Sequence, residues 1–167
     1  MQKIMVAHDG SKSSDKALKK AIELTTSFNA SLTIIAVVPE LYLTELPDVD
    51  RNRITDSLTQ ETNDSMEKIR KALSGKSIDV KTVIRQGDPA EKILETAQKM
   101  KVDLIITGSH GRHGTKKFLL GSVSSKVLSC APSKGHMPEH RHTGRLFYHN
   151  PPRLDKKAYR RAFKRIA

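Results

Sequence analysis

Residues 104–124 read LIITGSHGRHGTKKFLLGSVS, and the order of parts within them decides the fold. The apolar, β-branched run from Leu104 to Thr107 is a short strand. It stops at Gly108, with further glycines at Gly111 and Gly114. Glycines directly after a strand let the backbone turn sharply and approach a ligand closely, with amide groups exposed as donors to phosphate oxygens. Gly121 and Ser122 then open a helix whose apolar positions Val123, Val127 and Leu128 follow at helical spacing. A helix start carries unpaired amides and a partial positive charge, so a serine there either caps the helix or donates to phosphate. Strand, glycine loop and helix in this order are one step of an alternating α/β chain.

The preceding sequence repeats that step. Lys3 to Ala7 is a buried strand ended by the turn His8-Asp9-Gly10-Ser11, and Ser11, Ser13 or Asp15 can cap the helix that follows. Its buried face is Ala17, Leu18, Ala21, Ile22, Leu24 and Phe28, and Asn29 stops it. Leu32 to Val38 is almost wholly apolar, as in a strand covered on both faces, and Pro39 ends it. Glu40 to Asp50 reads as a loop over the top of a sheet. A long helix fits Ile54, Leu58, Met66, Ile69 and Leu73, with Gly75 beyond its end. Val80 to Ile84 is a third strand. Asp88-Pro89 starts a third helix that buries Ile93, Leu94, Ala97 and Met100.

Strict alternation of strands and helices implies parallel pairing through right-handed crossovers, hence an α/β fold: an open parallel sheet with helices on both faces. Ligands of such sheets collect beyond the carboxyl ends of the strands, where strand order reverses. That places the candidate site at three turns, beginning at Asp9, at Val37 to Pro39 and at Gly108.

Composition narrows the function classes. A chain of 167 residues holds one ordinary α/β domain and some extra. No run approaches the roughly 18 apolar residues of a membrane helix, and Asp9 interrupts the only apolar stretch near the start, so a cytoplasmic protein is expected. Cys130, the one cysteine, excludes an intramolecular disulfide and a cysteine-based metal site within the chain. The net charge of +12 is uneven: residues 1–132 carry +4 and residues 133–167 carry +8. The body is therefore only mildly basic, and a nucleic-acid reading applies to the tail alone.

The spacing Gly108-x2-Gly111-x9-Gly121-Ser122, with the wording GSHG and LLGSV, resembles the nucleotide-binding pattern of the universal stress proteins. The resemblance covers residues 1 to about 132, including the first strand ending in an aspartate and the turn Gly87-Asp88-Pro89. It implies a Rossmann-like sheet of the adenine nucleotide alpha hydrolase type and a stress-response regulator that binds ATP or another adenine nucleotide, with Mg2+ as a candidate companion. Carried over by position, Asp9 resembles the acidic residue that contacts adenosine, and Val37 the residue whose backbone holds adenine. Ala7 and His8 fall where flanking contacts lie, and Gly108, Gly111, Gly121, Ser122, Val123 and Ser124 at the phosphate loop.

Each position also has a plain reading. The glycines can simply make a loop, Ser122 can cap its helix, Asp9 can cap or orient the first turn, and Val37 is a core strand residue whatever its backbone does. His110, Arg112, His113, Lys116 and Lys117 suit either phosphate neutralisation or a solvated loop, and no carboxylate accompanies the two histidines to make a metal site. The loop lacks the Gly-Lys-Ser or Gly-Lys-Thr ending of a P-loop, and no set of nucleophile, base and orienting acid can be named. Catalysis is at most slow ATP hydrolysis, with Asp9 available to a metal ion or water.

After Pro132 the pattern departs from the family, whose short fifth strand commonly makes the contact of a homodimer. The 1–132 domain is followed by a basic tail, 133–167, without the expected proline- and valine-rich strand, which leaves the fourth strand as an exposed edge. Leu146-Phe147-Tyr148 is a short substitute strand at best, and Arg153 to Ile166 fit a basic amphipathic helix suited to nucleic acid, an acidic partner or a membrane surface. The same composition suits disorder or a change of reading frame. The alternatives to a nucleotide-binding regulator are thus binding through this tail, or a family member acting by protein contacts alone.

Overall fold

The computed structural model describes residues 2–40, 48–109, 121–130 and 145–149, with Asp48 and the last five through their backbone alone. The strands are β1 (Lys3–Ala7), β2 (Ser31–Val38), β3 (Val80–Gln86), β4 (Leu104–Gly108) and β5 (Arg145–His149). The helices between them are α1 (Lys12–Phe28), α2 (Asp48–Leu73), α3 (Pro89–Met100) and α4 (Ser122–Cys130). The sheet runs β3-β2-β1-β4-β5, and the first four strands are parallel. Strand order reverses between β1 and β4, because the chain leaves β1 toward β2 and returns to β4 on the other side.

Alternation along each strand explains the apolar runs. Ile4 and Val6 of β1 join Leu32, Ile34, Leu104 and Ile106 under α1 and α2, whereas Met5 joins Ile35 and Ile105 under α3 and α4. With both sheet faces covered, nearly every strand position is apolar, and each fully buried side chain of this size contributes about 1.5–3 kcal/mol. Helix ends follow local chemistry. Ser11 caps α1 by accepting from Ser14 N (3.1 Å), and Asn29 closes it in the left-handed region at φ 48°. Asp88 caps α3 by accepting from Glu91 N (2.9 Å), with Pro89 in the first turn.

Two expectations are corrected. The loop expected over 40–50 gives way to helix from Asp48, and residues 41–47 lie outside the described part. The fourth strand is not a bare edge: β5 pairs with it antiparallel, from Leu104↔His149 to Gly108↔Arg145. An unpaired row of β4 amides and carbonyls is satisfied in this way, so even three apolar residues among charges form a strand. The basic helix expected over 153–166 lies outside the described residues. Among the described residues, no helix is long and apolar enough to cross a membrane.

Asp88 also accepts from Lys126 Nζ of α4 (3.1 Å). The Glu91 amide first, and the Lys126 ammonium second, hold its carboxyl below the ordinary carboxylate range. A carboxylate depressed in the folded state stabilises above its unfolded pKa, about 4, and loses that contribution as pH falls through the lower folded value. Asp88→Asn keeps a capping side chain and removes the charge. Its deficit in urea unfolding at pH 7 is expected to shrink below about pH 4; a deficit that persists at pH 2 contradicts this account.

Candidate functional site

The ladder between β1 and β2 ends at Ala7↔Ile35, and its last rung is His8 N donating to Ile35 O (2.8 Å). On the other side, β2 stays paired with β3 as far as Val38↔Gln86, and Gly87 N donates to Val38 O (3.0 Å). Backbone groups of a parallel strand alternate sides, so Val37 presents its N–H and C=O toward β1, beyond the point where β1 has ended. This stagger opens a cavity of about 660 Å³ over the carboxyl ends of β1, β2 and β4. Its size falls within the range of small-molecule sites.

Every candidate residue that the structure describes lines this cavity. Ala7, His8 and Asp9 come from the end of β1, Val37 from β2, Gly108 from β4, and Gly121, Ser122, Val123 and Ser124 from the start of α4. Gly111 lies outside the described residues, as do His110, Arg112, His113, Lys116 and Lys117. Candidate residues as far apart as Ala7 and Ser124 thus meet at one concavity. Among the described lining residues there is no lysine or arginine, and Asp9 is the one acidic side chain.

The local bonding assigns different tasks to these residues. Asp9 is exposed and its Oδ1 accepts from Ser11 N (3.0 Å), so it orients the first turn while the cap itself is Ser11. His8 is buried and its Nε2 lies 3.0 Å from Asp15 Oδ1, which anchors the imidazole to α1. Gly108 permits a close approach: a Cβ there would stand 2.8 Å from Ser13 Oγ and 3.0 Å from the backbone of Ser13 and Ser14. The first turn of α1 therefore rests directly on the end of β4.

The start of α4 differs from the plain reading of Ser122 as a cap. Gly121 holds the capping position, since its carbonyl accepts from Ser125 N (2.9 Å) and Ser122 is the first helical residue. A glycine cap has no side chain to turn onto the first-turn amides. Ser122 is exposed at the cavity, whereas Ser124 is buried and its hydroxyl donates to Gly108 O (2.6 Å). Ser124 can thus offer a ligand its amide, its hydroxyl being committed to the scaffold.

Sequence reading missed the wall supplied by α2, where Leu58, Thr62, Ser65 and Met66 line the cavity. The available signal was a helical stripe, i, i+4, i+7, i+8, in which hydroxyls interrupt the apolar positions before the core begins at Met66 and Leu73.

A model of the universal stress protein family matches residues 1–134. The universal stress protein YxiE of Bacillus subtilis is 34% identical over 140 residues, covering 78% of this chain and 95% of its own. Among solved structures, universal stress protein UspA from Lactobacillus plantarum superposes with a TM-score of 0.71 at 26% identity, over 78% of this chain and 92% of that one. A universal stress protein solved in complex with cAMP superposes with a TM-score of 0.51 at 25% identity, over 77% and 90% of the two chains.

Gly108→Ala is expected to lower stability by about 1–3 kcal/mol, the range for forcing atoms into a packed site, because the clash is with backbone. Urea unfolding measures this, and a loss below about 0.5 kcal/mol would show that α1 can yield.

Proposed function

The chain belongs to the universal stress protein family, and we propose that its cavity binds an adenine nucleotide, with ATP as the first ligand to test. The single observation that carries this reading is the convergence of the glycine-serine start of α4, the end of β1 and the open backbone of Val37 on one cavity. The relative solved with cAMP holds an adenine nucleotide on the same fold.

Val37 N–H and C=O supply one donor and one acceptor side by side, which is what the acceptor N1 and donor N6 edge of adenine requires. Ala36, Pro39, Leu58 and Met66 give that end of the cavity an apolar lining for the ring. At the β4 end, the amides of Ser122, Val123 and Ser124 point out of the helix start, with the hydroxyl of Ser122 beside them. Helix amides and dipole together favour phosphate there even without a basic side chain among the described lining. Asp9, at the end of β1 between the two, is placed for a ribose hydroxyl, or for Mg2+ accompanying the phosphates. This is a holding site first, so nucleotide occupancy is the regulated quantity, and slow hydrolysis would only time its release.

Isothermal titration of the full chain with ATP tests the reading. Ser122→Ala is expected to weaken binding about tenfold or more, the cost of losing a hydrogen bond to a charged group. Gly121→Val, which puts a branched side chain at the uncapped helix start, is expected to abolish it. Wild-type protein that takes up no ATP, or binding indifferent to both substitutions, would overturn the proposal.

A further inference from the structure

Pro89 of α3 lines the same cavity as Ser122, Val123 and Ser124 of α4. On either side of it, Asp88 and Glu91 make the start of α3 acidic. Neither carboxylate lines the cavity, but both flank the lining residue Pro89, and negative charge near a site for phosphate opposes the ligand unless it is met. Lys126, one turn beyond Ser122, meets it: its Nζ lies 3.1 Å from Asp88 Oδ2 and 3.3 Å from Glu91 Oε1. Asp88 is itself fixed, since its other oxygen accepts from Glu91 N (2.9 Å).

The helix that Lys126 holds is short, nine residues. Ser124 Oγ to Gly108 O (2.6 Å) and Gly121 N to Ser109 O (2.8 Å) tie its first residues to the end of β4, and Val127 is buried beneath it. Those ties fix where α4 begins. The Lys126 bridge adds a tie on the flank toward α3, one turn beyond those residues. Both partners are part-exposed, and such pairs add little to stability by themselves. Aiming three amides at a polyanion gives the pair a use that stability does not.

We infer that Lys126 is a positioning residue for the phosphate end of the nucleotide, pinning α4 to the start of α3 and cancelling the two carboxylates beside the site. The inference rests on the nucleotide reading and deepens it, because it separates the residues that set phosphate affinity from those that hold the base.

The full chain and its Lys126→Met and Lys126→Arg variants are titrated with ATP and with adenosine, and urea unfolding is followed alongside. Lys126→Met is expected to bind ATP about three- to fivefold more weakly, the range of one exposed charge pair. Adenosine affinity should be unchanged, and Lys126→Arg should stay within about twofold of wild type for ATP. Unaltered ATP affinity in Lys126→Met overturns the inference while leaving the nucleotide reading intact. Equal losses for ATP and adenosine also overturn it, by making Lys126 a general structural contact. Wild-type protein that binds neither ligand removes the nucleotide reading and this inference together.

Discussion

The unequal length of neighbouring strands is the constraint on which the site depends. β1 gives up its pairing with β2 at Ile35, whereas β3 follows β2 to Val38. A parallel strand that loses one neighbour before the other must expose one set of backbone groups and keep the other set bonded. Val37 is in that position, rigid on the β3 side by its flanking rungs and open toward the cavity. A loop could offer the same donor and acceptor only with a larger loss of conformational freedom on binding.

Reversal of strand order supplies the rest. β2 and β4 lie on opposite sides of β1, and the cavity takes its lining from the carboxyl ends of all three. α2 closes it from one side because the helix is longer than the strand it covers. Its 26 residues extend about 39 Å, against about 26 Å for the eight of β2. Met66 and Leu73 reach the core, Leu58 and Thr62 face the cavity, and Val49, near the far end, is 62% exposed. Packing thus holds one half of α2 and leaves the other half as a wall.

Local chemistry made much of this legible in the sequence. Strand limits, the Ser11, Asn29 and Asp88 helix ends, and the three turns of the site all follow from residues within a few positions of one another. What was not legible depends on distant neighbours. The fit of Gly108 is set by Ser13 and Ser14, nearly a hundred residues earlier, and the bond from Ser124 to Gly108 joins residues 16 apart. His8 lines the cavity, but that its ring is also held by Asp15, seven residues on, was not legible beforehand. The place of β5 depended on the vacant edge of β4, because a run of only three apolar residues, Leu146-Phe147-Tyr148, is too short among its charged neighbours to announce a strand by itself. The open backbone of Val37 is further still from local rules, because any residue at position 37 would carry the same groups.

The bond from Gly121 N to Ser109 O has a consequence for how the chain can vary. It joins the two ends of residues 110–120 at a single rung of 2.8 Å, so that segment starts and finishes at one fixed gate. Closing a loop across a fixed gate costs only slightly more as the loop lengthens, about 0.6 kcal/mol for each doubling. Any change of length between Ser109 and Gly121 therefore has to close across that same rung. By that loop-closure arithmetic, the segment's length is the least costly thing about this fold to change, and the rung that bounds it the more costly one.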